Sequence, residues 1–244
     1  MKECSKSIVR RLHDPDMIRR VFRGVGVDIG GKPDPLILYK ELFPLMESVR
    51  TWDLEDGDAQ EMAGLSDASM DFVHSSHCLE HMRDPAVALG NWFRILRPGG
   101  HLILTVPDED LYEQGMFPST FNRDHKWTFT VFKTHSWSTR SLNLIDLVKG
   151  LGEACDVRHI KVIDMAYRYD LPRYDQTLGP VSESAIEVLI RKRPEQEVFQ
   201  GGRLPAVRQP DDEVRLHLNQ YRDDQRSLRE SNSGRPPFRN LSEL

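Results

Sequence analysis

The sequence predicts an α/β fold in which a mostly parallel sheet is covered by helices on both faces. Short runs of β-branched residues alternate with segments of helical periodicity between residues 25 and 193. Strands that alternate with helices imply right-handed crossovers and parallel pairing. Residues 70–74 and 102–106 are apolar almost without interruption, as strands buried on both faces are. These observations together favour a doubly wound sheet.

Four elements are predicted in the first fifty-odd residues: helices over 5–23, broken near Asp14-Pro15, and over 35–46, with strands over 25–31 and 48–54. The first strand, VGVDIGG, ends in glycines and therefore in a turn. The helix over 35–46 places Leu38, Leu42 and Leu45 near one face, which we expect to be buried.

Six further elements complete the predicted sheet: strands over 70–76, 101–107, 157–169 and 184–193, and helices over 85–100 and 139–151. The helix over 85–100 begins with a proline and ends in Pro-Gly-Gly, which predicts a turn before the next strand. The last two strands are expected to close the sheet.

Composition excludes several classes of protein. The 244 residues carry 38 acids and 33 bases, so no general basic bias indicates nucleic-acid binding. The three cysteines are far apart and form no C-x-x-C pair, so neither a zinc knuckle nor a disulfide framework is expected. The chain has no signal-peptide pattern and no run of 18 apolar residues. We therefore expect a cytoplasmic protein without a membrane span.

The composition changes near residue 194, which predicts a domain over 1–194 and a polar tail over 195–244. The tail contains eight arginines, nine acids and no lysine. Residues 211–230 start with acids, end with arginines and carry a thin apolar stripe, which predicts one helix. This helix is either solvated or a contact for the domain, a partner or a second copy of the chain.

Candidate binding residues lie where predicted strands end. In open α/β sheets, ligands bind at the carboxyl ends of strands, where the strand order reverses. The first strand ends in Asp28, Gly30 and Gly31, and glycines allow a close approach of backbone to ligand. The second ends in Asp53, and an acid at that place can accept both hydroxyls of a ribose.

Residues 25–110 resemble the class I S-adenosylmethionine-dependent methyltransferases, in particular the broad "type 11" group. The stretch DAQEMAGLSDASMDFV, the following LEH and the Pro-Gly-Gly before a buried strand agree with this group in order and spacing. The resemblance implies a Rossmann-like, seven-stranded type of sheet with an antiparallel closing strand. It also implies S-adenosyl-L-methionine as the cofactor.

The resemblance assigns the predicted site residues to parts of the cofactor. Asp28, Gly30 and Gly31 match the motif that faces its methionine part, and Asp53 matches the ribose-binding acid. The remaining assignments are Asp58 and Ala59 beside adenine, Met62 and Leu79 as apolar cover for the adenine ring, and Ser76 and His77 under the sulfonium at the end of the fourth strand of the family's sheet.

Two departures from the family pattern are visible in the sequence. The third glycine of D-x-G-x-G-x-G is missing, because the chain continues from Gly31 as Lys32-Pro33-Asp34. Only four residues separate Asp53 from Asp58, where the common form of the family has a helix and a strand. We therefore expect the sheet to be trimmed at this position, with an altered approach of Asp53 to the ribose.

Residues 77–81, HCLEH, match the H-x-x-E-H pattern of the inverted zincin peptidases. A zinc peptidase carries this motif within a helix and needs a third ligand in register. Here the motif directly follows a predicted strand and no such ligand follows, so we expect no metal ion at His77, Glu80 and His81. His77 is instead expected to line the cofactor pocket, and the alternative is that it acts as a base.

An aromatic-rich segment over 108–130 follows the predicted fifth strand of the family's sheet, where this fold admits its acceptor. The segment is either an ordinary lid or the acceptor site, with His125 as the general base. Methyl transfer to a hydroxyl requires that the proton be removed, and a histidine suits that task. Asp108 and Asp124 are the predicted partners that orient His125 or replace it.

The resemblance implies a methyltransferase that acts on an oxygen, or less readily a nitrogen, of a small-molecule or glycan-like acceptor. His125 and His77 are the candidate catalytic residues. The alternative is a non-catalytic copy of the fold that serves as a binding or scaffold module, and the reduced glycine motif favours it. The intact Asp58-Ala59 pair favours the enzyme.

Overall fold

A computed structural model of the chain describes residues 3–204 and 222–226. Six strands form its main sheet in the order β2-β1-β3-β4-β8-β7. Their bounds are β1 Gly24–Ile29, β2 Met46–Trp52, β3 Met70–Ser76, β4 Leu96–Pro107, β7 Cys155–Ile163 and β8 Ala185–Lys192. Two short strands, β5 Thr128–Thr130 and β6 Ser141–Asn143, pair separately in parallel.

The sheet is parallel on one side and antiparallel on the other. Strand β1 pairs in parallel with β2 and β3, and β3 pairs in parallel with β4. Strand β8 runs antiparallel to both β4 and β7 and so closes the sheet as predicted. The chain leaves β1 for β2 on one side and then returns to β3 on the other. The strand order therefore reverses at the carboxyl end of β1.

Both faces of the sheet are buried. Neighbouring residues of one strand point to opposite faces, and they pack into different clusters. Phe72 packs into a cluster with Ile8 and Phe22, whereas the adjacent Val73 packs into a second cluster with Trp92. The helices that cover these faces are α1 Glu3–Leu12, α2 Pro85–Arg94 and α3 Leu144–Lys149, and a short α4 Glu195–Phe199 follows β8. The predicted break after the first helix is confirmed.

The predicted helix over 35–46 is wrong in kind and in orientation. A 3₁₀ helix spans Leu36–Leu42, and β2 already begins at Met46. Leu38 is 65% exposed, and Leu42 and Leu45 are exposed as well, whereas Leu36 and Phe43 are buried. The side chains at the two ends of this segment anchor it, so the predicted apolar face between them is not used.

One connection differs from the sequence-based expectation, and another agrees with it. Strand β4 starts at Leu96, which pairs with Met70, so the Pro-Gly-Gly stretch lies inside an irregular strand and is not a turn before it. Between β2 and β3, the chain forms a 3₁₀ turn over Leu54–Asp56. This agrees with the expected loss of a helix and a strand at this position. The six described strands of the main sheet agree with that trimming.

The chain divides into two compact units, Met1–Gly202 and Arg203–Leu244. Within the second unit, residues 222–226 are helical. The other residues of the predicted helix 211–230 lie outside the described part of the chain. No helix in the described ranges is both long and apolar enough to cross a membrane.

Candidate functional site

A cavity opens at the point where the strand order reverses, between the ends of β1 and β3. Its volume is about 170 Å³. We call it the switch-point cavity, and it is lined by Glu3, Cys4, Asp28, Gly30, Gly31, Lys32, Asp34, His74, Ser76, His77, Glu80, His81 and Asn122. Four carboxylates and one lysine are among these residues, so the lining favours a positively charged ligand.

The switch-point cavity brings together five of the residues that the sequence analysis proposed. Asp28, Gly30 and Gly31 lie at the end of β1, and Ser76 and His77 lie at the end of β3. The other candidates, Asp53, Asp58, Ala59, Leu79 and His125, are not part of its lining.

Gly30 and Gly31 are required by their immediate surroundings. The φ angle of Gly30 is +70°, and a Cβ there would lie 2.7 Å from Sγ of Cys78. A Cβ on Gly31 would lie 2.2 Å from Oδ2 of Asp28. A side chain at either position would therefore displace the ends of the strands that carry the site.

Asp28 uses both carboxylate oxygens inside the protein. Its Oδ2 accepts the backbone N–H of Leu36 at 2.7 Å, and its Oδ1 lies 2.6 Å from Nδ1 of His74. The other ring nitrogen of His74 lies 2.8 Å from the guanidinium of Arg11, which can only donate. His74 is therefore neutral with its proton on Nδ1, and burial lowers its pKa.

Asp53 and Asp58 lie outside the cavity and bind neighbouring backbone groups. Asp53 accepts the N–H of Leu54 at 2.9 Å and that of Lys32 at 3.1 Å, so it supports the glycine loop from the end of β2. Asp58 accepts the N–H of Gln60 and forms an ion pair with Arg83, both at 2.8 Å. The hydrogen bond from Gln60 and the charge of Arg83 hold the pKa of Asp58 below its ordinary value.

Ala59 and Leu79 belong to the packing around α2. The carbonyl of Ala59 accepts the indole N–H of Trp92 at 2.8 Å. Leu79 and Met62 are fully buried in the same hydrophobic cluster as Trp92. Their roles beside an adenine ring therefore remain predictions that rest on the resemblance alone.

His77 occupies a strained position at the tip of β3. Its φ angle is +54°, which is uncommon for a residue with a side chain and recurs at functional sites. Neither ring nitrogen has a hydrogen-bond partner among the described residues. Carboxylate oxygens of Glu3 and Glu80 lie 3.7 and 3.6 Å away. Burial lowers the pKa of His77 to about 4, although the charge of Glu80 opposes that shift.

His125 and Glu80 meet at the inner wall of the site, although 44 residues separate them in the sequence. Glu80 is fully buried, and neither of its carboxylate oxygens has a hydrogen-bond partner among the described residues. Ligand atoms of Glu80, His81 and His125 lie within 4.8 Å of one another. Carboxylate and imidazole groups at such distances are able to hold a metal ion.

The predicted partners of His125 are not the ones that the structure shows. Nδ1 of His125 lies 2.7 Å from Oε1 of Glu113. Asp124 instead lies 2.9 Å from Nδ1 of His81, and Asp108 accepts two backbone N–H groups at the start of the π-helical turn Glu109–Glu113. Both acids are occupied by these contacts, so neither orients His125.

His125 lines a second cavity of about 360 Å³, beyond the switch-point cavity. We call it the aromatic cavity, and its other lining residues are Arg83, Phe117, Pro118, Lys126, Trp127 and Arg140. The guanidinium of Arg140 lies 5.0 Å from the centre of the Trp127 ring. This wall offers aromatic faces together with three positive charges.

Several site residues were missed by the sequence analysis. Glu3 and Cys4 reach the cavity from α1, which the sequence connects to no motif. Glu113 follows Tyr112 in the aromatic-rich segment and was not considered as a partner of His125. No spacing in the sequence pairs it with His125, because the two meet through the π-helical turn Glu109–Glu113.

The sequence profile of a family described as "methyltransferase domain" matches residues 14–155. A protein of Mycolicibacterium smegmatis described as an S-adenosylmethionine-dependent methyltransferase is 35% identical over 63 residues, which are 26% of this chain and 24% of that protein. An uncharacterized 37.1 kDa protein from a Streptomyces fradiae transposon is 39% identical over 64 residues, 26% of this chain and 18% of that protein. The aligned region thus spans less than a quarter of these relatives.

Among solved structures, a Bacillus halodurans protein described as a methyltransferase superposes with a TM-score of 0.51. The superposition covers 76% of this chain and 99% of that protein at 14% sequence identity. At that identity the likeness concerns the fold.

Proposed function

The chain belongs to the methyltransferase domain family, and from this premise we propose that it transfers a methyl group from S-adenosyl-L-methionine to an oxygen of a small-molecule or glycan-like acceptor. One observation carries the proposal. The ends of β1 and β3 enclose an acidic cavity at the point where the strand order reverses, and His77 lies in its wall with both ring nitrogens unpaired among the described residues.

The residues of the switch-point cavity fit this cofactor by charge. S-adenosylmethionine carries a sulfonium and an ammonium group, and Glu3 and Asp34 supply carboxylates beside them. The backbone of Gly30 and Gly31 would approach the methionine part, next to Asp28. Asp53 and Asp58, at the end of β2 and after it, are proposed to bind the ribose and the adenine.

The protein's own contribution to the reaction is alignment and proton removal. When bound, the cofactor supplies a methyl group whose carbon–sulfur bond breaks as the acceptor oxygen forms the new carbon–oxygen bond, with the bonding electrons remaining on sulfur. Such an in-line displacement needs the acceptor oxygen held in place and its proton removed. His77 lines the same cavity as the proposed cofactor residues, so we assign the proton to its ring.

His125 is the second candidate for the base. Glu113 orients its ring, as carboxylates do for catalytic histidines, and the ring lines the aromatic cavity. The same cavity offers Phe117 and Trp127 as flat apolar surfaces for an aromatic or sugar ring. The positive charges of Lys126 and Arg140 favour an acceptor that also carries an anionic group.

A non-catalytic role is the competing proposal, and one observation favours it. Asp28, Asp53 and Asp58 each bind groups of the protein itself. A copy of the fold that has lost its cofactor would keep such structural acids. In that case the cavities would bind a ligand without any transfer.

The experiment that separates these proposals measures transfer of a radiolabelled methyl group from S-adenosylmethionine to a panel of small hydroxyl and amine acceptors. We expect label in a hydroxyl product. With that acceptor, replacing the true base should lower turnover by about 10²–10⁴-fold. A loss of turnover in His77→Ala supports the assignment, whereas full turnover in His77→Ala together with a loss in His125→Ala moves the base to His125.

A further inference from the structure

Three histidine nitrogens surround one oxygen of the buried Glu80. Nδ1 of His77 lies 3.6 Å from Oε1 of Glu80, Nε2 of His125 lies 3.9 Å from it, and Nε2 of His81 lies 4.0 Å from it. All of these separations exceed a hydrogen bond. Among the described residues, the carboxylate of Glu80 therefore has no hydrogen-bond partner, although buried charges normally have one.

Two of the three histidines are oriented from behind by carboxylates. Nδ1 of His125 lies 2.7 Å from Glu113, and Nδ1 of His81 lies 2.9 Å from Asp124. An ionised carboxylate only accepts hydrogen bonds, so each Nδ1 carries the proton and each Nε2 is left to present its lone pair. Metal-binding histidines are commonly oriented in this way by a carboxylate at the other nitrogen.

We propose that Glu80, His81 and His125 bind one divalent transition-metal ion, with Zn²⁺ as the best match to two imidazoles and a carboxylate. In a tetrahedral zinc site with bonds of about 2.0–2.1 Å, neighbouring ligand atoms lie about 3.4 Å apart. The distances from Glu80 to the two histidines exceed that value by about half an ångström, an amount that side-chain rotation can close.

The location of the three ligands indicates what the ion would do. Glu80 and His81 line the switch-point cavity, whereas His125 lines the aromatic cavity. An ion between them has three protein ligands and an open position, which is the pattern of catalytic rather than structural zinc.

The role of the ion, unlike its binding, rests on the proposed function. An acceptor oxygen in the open position would have its pKa lowered by the ion, so that a hydroxyl loses its proton more readily before methyl transfer. In this arrangement His125 is a metal ligand, and the proton passes to His77 as assigned above. The acceptor is then a compound that offers a hydroxyl as a metal ligand.

This inference competes with the expectation that no metal ion binds at His77, Glu80 and His81, and the titration below decides between them. That expectation considered a third ligand within a continuous helix, as a zinc peptidase has it. In the structure the motif forms only a 3₁₀ turn, Leu79–His81, and the third ligand arrives from the segment before β5.

The test uses the full chain, stripped of metal with a chelator and then titrated with Co²⁺ and with Zn²⁺. Calorimetry measures the stoichiometry, and the visible absorption of Co²⁺ reports nitrogen ligation. We expect one ion per chain in the wild type and in the control His135→Ala, whose histidine is exposed and outside the site. Glu80→Gln and His81→Ala should lose binding, and Glu113→Gln should weaken it by about 10–100-fold.

Circular dichroism of each variant controls for folding, and Glu80→Gln keeps the shape of the side chain. Absence of binding in the wild type would overturn the proposal, as would unchanged affinity in folded Glu80→Gln and His81→Ala. Titration of the metal-free chain with S-adenosylhomocysteine separates the two proposals. Co²⁺ binding without binding of this ligand contradicts the proposed function alone, and the opposite result contradicts the metal site alone.

Discussion

Arg11 lies fully buried under the floor of the switch-point cavity. Its guanidinium donates to Nε2 of His74 at 2.8 Å and to Oε2 of Glu187 at 3.2 Å. His74 in turn contacts Asp28, and Glu187 also binds Arg10 at 2.7 Å. Through these residues, helix α1 is connected to the ends of β1, β3 and β8. A change in this network should therefore affect the stability of the whole site.

Glu187 makes this network sensitive to acid. Burial alone would raise its pKa, but a hydrogen bond from His159 and the charges of Arg11 and Arg10 outweigh burial and lower the pKa below its ordinary value of 4.5. The stabilisation is therefore complete above that value and is lost as the pH falls towards the folded-state pKa.

Glu187→Gln should destabilise the chain by about 3–5 kcal/mol at pH 7, because Arg11 is left buried without its counter-charge. The difference from the wild type should shrink as the pH falls below about 4, where the Glu187 carboxylate of the unfolded chain becomes protonated while that of the folded chain stays ionised. Denaturant unfolding at several pH values measures it, with the exposed Glu41→Gln as the control. A difference that stays constant down to low pH would contradict this account.

Gly30→Ala should destabilise the fold by about 1–3 kcal/mol, because the left-handed backbone angle is costly for alanine and its methyl group would overlap Cys78. Cys78→Gly in the same chain should recover part of the loss, since it removes the overlap and leaves the strain. Thermal unfolding measures both variants. If Gly30→Ala melts like the wild type, the glycine loop is not held as described.

The six strands of the main sheet were predictable from sequence because they combine β-branched residues with flanking turn residues, whereas β5 was not predicted and β6 lies where a helix was expected. The run 70–76 coincides with β3, and 184–193 contains β8. The segment 35–46 was not predictable in this way, because leucines at helical spacing fit a buried helix as well as an exposed turn. The buried anchors Leu36 and Phe43 decided the outcome, and tertiary packing alone selects them.

Helix α2 provides a test of local stability close to the site. The carboxylate of Asp84 accepts the N–H groups of Ala86 and Val87 at 2.9 and 3.2 Å, and Asp84→Ala should cost about 1 kcal/mol. Gly90 lies within the helix with open space where a Cβ would be, so Gly90→Ala should add up to about 1 kcal/mol. Denaturant unfolding should show opposite signs, and equal signs would mean that α2 is not helical at these positions.

The candidate site was predictable only in part. Asp28, Gly30, Gly31, Ser76 and His77 follow strands and so share one edge of the sheet. The meeting of Glu80 with His125 and Glu113 depends on a 3₁₀ turn, a π-helical turn and an irregular loop. No periodicity in the sequence specifies the direction of such segments, so their side chains could not be placed in advance.

The division of the whole chain predicts how it responds to truncation. We propose that a chain ending at Gly202 keeps the cooperative melt of the full chain, since the first compact unit ends there. A chain ending at Pro194 should melt lower, because it loses the ion pair of Arg191 with Glu197 at 2.7 and 2.8 Å. Glu197→Gln in the full chain is the matched control. Aggregation or a lower melting temperature of the chain ending at Gly202 would contradict this division.

At the scale of the molecule, the α/β class, the closing antiparallel strand and the trimmed connection after β2 all followed from the sequence and its family resemblance. The role of α1 did not. The sequence connects its residues to no site, whereas Arg11 is buried and Glu3 reaches the cavity. Charged residues become buried only where partners from distant strands meet them, and a single helix does not reveal those partners.

The central claim is that the switch-point cavity holds the cofactor, and calorimetric titration with S-adenosylhomocysteine tests it most directly. The wild type and Ser76→Ala should each bind one molecule per chain, because neither blocks the cavity that Ser76 lines. Ser76→Phe should fill the cavity and lose binding while its melting curve stays cooperative. Absence of binding by the wild type, or equal affinity in Ser76→Phe, would contradict the account.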